Sequence, residues 1–396
     1  MYHFRYLIIG GGMAADAAVR GIRTLDSSGT IGLISSEKNP PYNRPPLSKG
    51  LWKGKKFERI WRNTNELNAT LQLGRTVVKL DREAHKVTND LDEEYTYEKL
   101  LLATGGEPRK LTYGGKLVNY LRTLEDYQDL RSLANDRQRF AVIGGGFIGS
   151  EIAAVLTELG KQVTMVFPET GITARIFPAD VITHVNELFR QKGVVIKHGF
   201  LPENIEPFSG GIKVGIRSQA GTVETLEADG VIAGLGLIPN TELAEQAGLK
   251  VDNGIWVDEH LQAGEDIYSA GDVANYFDIS LQMRRRVEHE DQANTQGHVA
   301  GQNMAGAGLT YDHLPYFYTD IFNIGYEAIG ELDGRMEVIP AWVEPYQKGI
   351  LYYLCDGKIR GVLLWNVWGK IEEARKLIKA GETTSADQIP GLILVE

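Results

Sequence analysis

The chain predicts an α/β protein with two Rossmann-like dinucleotide-binding domains and a small α+β C-terminal domain. Three observations carry this. Near the start, Tyr6-Leu-Ile-Ile-Gly-Gly-Gly-Met-Ala-Ala runs from an apolar strand through glycines into an alanine-rich helix. Later, Phe140-Ala-Val-Ile-Gly-Gly-Gly-Phe-Ile-Gly-Ser-Glu repeats the design. After about Pro315 the character changes to a hairpin and a short amphipathic helix. Strand, glycine turn, helix and strand form the βαβ unit of a parallel sheet, so two copies imply two nucleotide sites.

The first turn is Gly10-x-Gly12-x-x-Ala15. Gly10 permits the tight turn, Gly12 lets the backbone approach a pyrophosphate, and Ala15 still allows close helix–strand packing. The whole turn (Gly10, Gly11, Gly12, Met13, Ala14, Ala15) presents N–H groups at a helix start, where phosphates bind. The following strand, Thr30-Ile-Gly-Leu-Ile-Ser-Ser-Glu, delivers Glu37 for a ribose hydroxyl, close to the expected interval of ~20 residues.

The second turn is the complete form, Gly144-x-Gly146-x-x-Gly149, with Gly145, Phe147 and Ile148 inside it. Its helix places Ile152, Val155, Leu156 and Leu159 on one face, and Gly160 supplies the stop. The strand 162–167 follows and leads to Glu169. A carboxylate there accepts a bond from a ribose 2′-hydroxyl and repels a 2′-phosphate, which favours NADH; Arg175 nearby tempers the preference. Near the C-terminus, Ile350-Leu-Tyr-Tyr-Leu-Cys, Asp356-Gly357 and Lys358-Ile-Arg-Gly-Val-Leu-Leu-Trp read as a hairpin with a tight turn. A helix over 370–379 turns Ile371, Ala374, Leu377 and Ile378 inward.

Composition narrows the chemistry. Of 396 residues 45 are glycine, an excess that points to tight turns and close approach of backbone to ligands. Forty-two Lys+Arg against 52 Asp+Glu give a net charge of −10, which argues against a nucleic-acid or anionic-membrane binder. The longest apolar stretch, 140–156, contains Glu151 and four glycines and is a poor membrane span. With Arg5-Tyr6-Leu7-Ile8-Ile9 already reading as a strand, a cytoplasmic protein is expected. The single cysteine, Cys355, excludes an internal disulfide, a Cys-x-x-Cys pair and a cysteine-ligated cluster; it reads as core filler. The eight histidines form no metal-binding pattern. Redox work therefore falls to a bound organic cofactor. Two dinucleotide folds without a thiol pair point to hydride transfer from a nicotinamide to a flavin.

Further motifs carry a resemblance. Tyr42-Asn-Arg-Pro-Pro-Leu-Ser-Lys49, Leu102-Ala-Thr-Gly-Gly106 and Ser269-Ala-Gly-Asp272 resemble the FAD-dependent pyridine nucleotide-disulfide/ferredoxin reductase-type oxidoreductases. Arg285-Arg-Val-Glu-His289, Ile324-Gly-Tyr-Glu-Ala-Ile-Gly330 and Gly361-Val-Leu-Leu-Trp-Asn366 are similar to the apoptosis-inducing-factor-like branch. The resemblance implies a glutathione-reductase-like architecture. A split FAD-binding domain, 1–106 and 238–315, would surround an NAD-binding domain, 107–237, with a C-terminal α+β domain over 316–396.

It also implies roles. Asp272 would bond the ribityl chain, with Arg44, Arg122, Val77, Ala103, His289, Glu290 and Tyr318 as further FAD contacts. The first ribose acid falls on Ser36 and Glu37. Lys49 would lie beside the reactive flavin nitrogen, paired with Glu151, and Phe147 would gate or stack on the nicotinamide. These three are the catalytic candidates in an electrostatic and positional sense. Gly236, Glu288 and Glu327 are implied nicotinamide-nucleotide contacts, and no metal is expected.

Tyr318 stands where animal members of that branch carry tryptophan. The charged residues that pair across their reduced dimer fall here on Lys250, Trp256 and Gly264, leaving monomer and homodimer open. Expected partners are NADH and an electron acceptor: a ferredoxin- or rubredoxin-type carrier that could dock at Arg284, Arg285 and Arg286, a run that otherwise reads as a solvated loop, or a quinone or another small molecule. The alternative is a slow NADH-sensing flavoprotein that forms a charge-transfer complex and recruits a partner.

Overall fold

Strand Tyr2–Ile9 ends in Leu-Ile-Ile, with Leu7 and Ile8 fully buried, because a strand covered on both faces needs apolar residues on both. A computed structural model describes residues 2–383 and 385–395. The chain forms two compact units, Met1–Pro45 with Lys56–Glu107 and Ile238–Pro315, and Pro46–Lys55 with Pro108–Leu237 and Tyr316–Glu396.

In the first unit the parallel strands run in the order Ile267–Ser269, Glu94–Leu102, Tyr2–Ile9, Ile31–Ser35, Ala69–Leu73. Ile9 stands opposite both Leu102 and Ile34, so the first glycine turn leaves the middle of the sheet. Helix Met13–Arg23 follows, and its alanines let a second helix, Glu290–Met304, lie almost against its backbone. A Cβ on Gly297 would overlap the Ala14 carbonyl, one on Gly301 the Ala18 carbonyl, and one on Gly21 the His298 carbonyl. This four-residue spacing of glycines against alanines fixes how the two helices cross.

The second unit contains a parallel sheet ordered Val195–His198, Gln162–Phe167, Arg139–Ile143, Gly230–Ala233, Val118–Asn119. It also holds an antiparallel meander, Phe200–Phe208, Gly211–Ser218 and Val223–Ala228. A five-stranded antiparallel sheet completes it: Tyr316–Ile321, Ile324–Gly330, Lys358–Trp365, Lys348–Cys355, Glu337–Glu344. The expected hairpin is there, with Asp356 and Gly357 both at positive φ, as its two-residue turn demands. Helix Ile371–Ala380 buries Ile371, Ala374 and Ile378.

The run Pro46–Lys55 joins this second unit through Trp52. Its indole Nε1 donates to the Leu47 carbonyl at 2.7 Å, and its ring meets Tyr127 edge-on at 5.4 Å. The Arg131 guanidinium lies over the same ring at 5.2 Å. Tyr127 and Arg131 belong to helix Leu124–Asp136, so Lys49 is carried by a segment strapped to that helix.

Two sequence expectations are corrected. Leu159 does not share the buried face of helix Phe147–Glu158: it sits just past the helix end and is 39% exposed, while residues 149–156 are buried all round. Cys355 is exposed, not core filler, because it ends its strand immediately before the turn.

Candidate functional site

In the first unit, Gly10 has φ +127°, and a Cβ there would overlap the Ala103 carbonyl. Only glycine tolerates both conditions. Gly11 is closed off by Ser35, whereas a Cβ on Gly12 would meet nothing nearer than Arg44 Nη2 at 3.9 Å. Gly12 caps helix Met13–Arg23 without a side-chain hydrogen bond, so the first helical N–H groups face a space bordered by a guanidinium. That guanidinium is held by Glu37, which it pairs with, and by Tyr42, whose hydroxyl donates to Glu37 Oε2 at 2.5 Å. Burial opposes the charge of Arg44, but Glu37 and Tyr42 outweigh it and keep the group above its ordinary pKa. Ser36 is exposed and Glu37 half-buried, so Glu37 is the residue aimed inward. Val77 opens strand Val77–Asp81.

Gly271, at φ +81°, packs against Ala14 and donates its N–H to Gln296 Oε1 at 2.8 Å. This brings Asp272 beside the first turn, where Arg44 feels its charge. His289 caps helix Glu290–Met304, whose first residue is Glu290. Burial first, and the Arg285 guanidinium second, push its imidazole down to about 4. Glu288 is exposed and pairs with Arg286 at 2.7 Å.

The second unit gathers the other candidates. Gly144 has φ +109° and a Cβ there would overlap the Gly234 carbonyl; Gly145 is closed by the Phe167 ring, and Gly146 opens to space. Gly146 caps helix Phe147–Glu158, again without a side-chain bond. Phe147 meets Phe317 edge-on at 5.0 Å, and Ile148 is exposed. Glu169 is 35% exposed, with Arg175, itself 89% exposed, at 3.8 Å. Gly236 has φ +88° and open space about its Cα. Glu327 accepts the Gly369 N–H at 3.3 Å, and burial raises its carboxyl above the ordinary range. The Arg122 N–H donates to Asp126 at the start of helix Leu124–Asp136.

Glu151 is 2% exposed and receives three donors: Lys49 Nζ at 2.6 Å, Thr319 Oγ1 at 2.5 Å and Ser48 Oγ at 2.5 Å. The Lys49 ammonium also lies 5.4 Å from the centroid of the Tyr318 ring. A half-buried cation, its buried carboxylate and an aromatic face are thus assembled from three separate stretches of sequence.

Residues 4–297 match the pyridine nucleotide-disulphide oxidoreductase family. The chain belongs to this family. Residues 339–380 match the C-terminal region of mitochondrion-associated apoptosis-inducing factor. Apoptosis-inducing factor 1, mitochondrial, of Dictyostelium discoideum is 34% identical, with 95% of this chain and 78% of that protein covered. The ferredoxin–NAD(+) reductase component of the Burkholderia cepacia anthranilate 1,2-dioxygenase system is 33% identical, with 97% and 96% covered. Among solved structures, a covalent putidaredoxin reductase–putidaredoxin complex gives a TM-score of 0.89 at 29% identity, with 98% and 95% covered.

As a member of this family the protein is an FAD-dependent NAD(P)H oxidoreductase. Its residues fit both cofactors: each glycine turn bars a Cβ on the sheet side and leaves open space before an uncapped helix start. The family's name does not extend to a thiol relay here, since Cys355 is the one cysteine. Among the described residues no helix is long and apolar enough to cross a membrane.

The expectation of a docking patch at Arg284–Arg286 is corrected. Arg284 donates to the Val257 and Asn275 carbonyls and lies 3.9 Å over the Trp256 ring. Arg285 pairs with Asp278 at 3.5 Å. Arg286, 8% exposed, pairs with Glu288 and donates to the Asp272 carbonyl. All three serve their own unit. Sequence reasoning also missed Ser48, Thr319, Gln296 and Arg62. The guanidinium of Arg62 reaches Asp16 at 2.6 Å, Asn43 at 2.9 Å and Asn294 at 2.9 Å. Asp16, polar in an otherwise apolar helix face, was the one available signal.

Proposed function

We propose that this protein takes hydride from NADH and passes the electrons singly to a small ferredoxin-type protein carrier. FAD, when bound, supplies the step between a two-electron donor and a one-electron acceptor. Residues 1–106 with 238–315 hold FAD, 107–237 hold NADH, and 316–396 close the chain. Within the first stretch the turn 10–15 carries the pyrophosphate, Glu37 a ribose and Asp272 the ribityl chain. Glu169 selects the unphosphorylated ribose, and Phe147 orients the nicotinamide. Lys49 sets the charge at the flavin, with Glu151 fixing its place.

The observation that carries this reading is the pairing of half-buried Lys49 with buried Glu151 in a chain with a single, exposed cysteine. Such a pair suits a charge device for a flavin, and a single cysteine cannot form a dithiol exit for electrons. Relatives matched along nearly their full length, among them a ferredoxin–NAD(+) reductase component, support a protein as acceptor. A second reading, a slow NADH sensor, draws on the match of residues 339–380 to apoptosis-inducing factor.

Anaerobic mixing of the FAD-loaded protein with NADH, and separately with NADPH, followed by oxygen, tests the donor half. The proposal expects rapid bleaching with NADH, at least tenfold slower bleaching with NADPH, and prompt recovery of colour on adding an electron acceptor. Slow bleaching with a persistent long-wavelength band favours the sensor. Equal rates with both nucleotides contradict the role given to Glu169.

A further inference from the structure

We infer that Ser48 and Thr319 are positioning residues for Lys49. Their hydroxyls fix the Glu151 carboxylate in the orientation that presents the Lys49 ammonium to FAD. This rests on the reading above, in which Lys49 sets the charge at the flavin.

The geometry is specific. Glu151 Oε1 accepts from Lys49 Nζ and Thr319 Oγ1, while Oε2 accepts from Ser48 Oγ. The terminal torsion of a glutamate is broad and roughly two-fold, so a carboxylate with a lysine as its one partner can turn about it. Donors on both oxygens, from two stretches of chain, remove that freedom. Thr319 is fully buried and Ser48 nearly so, so water is no substitute partner for either hydroxyl. Hydrogen bonds to a charged acceptor in such surroundings are the strong class.

The hydroxyls act on charge as well as on place. Each neutralises part of the Glu151 carboxylate, so less of that negative charge offsets the ammonium. Removing one hydroxyl strengthens the carboxylate's field and loosens Lys49 at once. Both effects make the surroundings of the cofactor less positive. Both therefore lower its midpoint potential.

A hydroxyl that merely satisfied a buried carboxylate would change stability and leave the potential alone. The experiment is a spectroelectrochemical titration of FAD-loaded wild type, Thr319→Val, Thr319→Ser, Ser48→Ala and Lys49→Gln. Thr319→Val and Ser48→Ala are also titrated in a Glu151→Gln background, with unfolding midpoints of all the proteins alongside. Thr319→Val and Ser48→Ala are each expected to shift the oxidised-to-reduced ratio about tenfold, ~30 mV more negative for a two-electron couple. Thr319→Ser restores the wild-type value, and the shift vanishes when Glu151 is already Gln. Should Thr319→Val not fold, Ser48→Ala makes the same test at the other oxygen. Wild-type potentials in both hydroxyl variants, with Lys49→Gln shifted, overturn the inference alone. So does a shift that persists in the Glu151→Gln background. A wild-type potential in Lys49→Gln overturns the reading of Lys49 and this inference together.

Discussion

Glu169 follows strand Gln162–Phe167, and its nearest cation, Arg175, is a loosely held surface group at 3.8 Å. If this carboxylate selects the nucleotide, Glu169→Arg removes a repulsion and adds a phosphate partner. Charge-assisted bonds are worth about 1.5–3 kcal/mol, so kcat/KM for NADPH relative to NADH should rise roughly 10–100-fold. Steady-state kinetics with both nucleotides check this; an unchanged ratio places the choice elsewhere. His289 makes a second prediction at this scale. Its imidazole is pushed down to about 4 when folded, from ~6.5 in an unfolded chain. Between those values the unfolded chain binds the extra proton, so stability is complete above ~6.5 and falls as pH drops towards 4. The slope stays below ~1.4 kcal/mol per pH unit, the value for a difference of one whole proton between the two states. Urea titrations of wild type and His289→Gln across that range measure it, and identical slopes would contradict the assignment. The Arg175 neighbour of Glu169 was legible in the sequence, and the surroundings of His289 were not. Glu169 was found by its spacing from a glycine turn, whereas the burial of His289 depends on a helix start and Arg285 meeting in space.

Elements that carry the first turn depend on contacts between distant stretches. Gly301 lies against the Ala18 carbonyl, with no room for a side chain. Gly301→Val should cost roughly 3 kcal/mol by overpacking, and should weaken FAD retention as helix Met13–Arg23 is pushed aside. Thermal unfolding and bound-FAD content report the two effects; wild-type values for both would contradict the packing account. Arg62 pairs with Asp16, which is fully buried and also bonded by Arg20 and Thr64. Arg62→Met should destabilise by about 3 kcal/mol, the low end for a buried charge that loses a partner, because two donors remain. Adding Asp16→Asn should recover part of that loss in urea unfolding. No recovery would mean that Arg62 acts through Asn43 and Asn294 instead. The βαβ units were readable because glycine turns, apolar strands and ribose acids recur at fixed spacings. The Asp16–Arg62 and Glu151–Ser48–Thr319 clusters were not, since their members are far apart in sequence and polar residues carry no periodic signal. The arginines 284–286 misled for a related reason: three adjacent cations look like a surface until their carbonyl, carboxylate and indole partners are seen.

At the scale of the whole molecule, fold class and both cofactors followed from two turns and a cysteine count, and the family from the longer motifs that resemble it. Composition worked by exclusion: one cysteine removed an internal disulfide, a dithiol pair and a cysteine-ligated cluster, and pointed to a bound flavin. The run Pro46–Lys55 shows the limit of reading by sequence order. It interrupts the first unit along the chain yet packs with the second, drawn there by the rings of Trp52 and Tyr127 and the guanidinium of Arg131. Its placement puts Lys49 on Glu151. The central claim is that electrons enter from NADH and leave to a protein. The direct measurement is anaerobic single turnover: NADH-treated protein mixed with oxidised [2Fe–2S] ferredoxin, with the colours of both partners followed by stopped flow. The account predicts that the yellow colour returns as the ferredoxin bleaches, at a rate that rises with ferredoxin concentration. A protein that stays bleached beside oxidised ferredoxin, with rubredoxin as acceptor giving the same result, would contradict it.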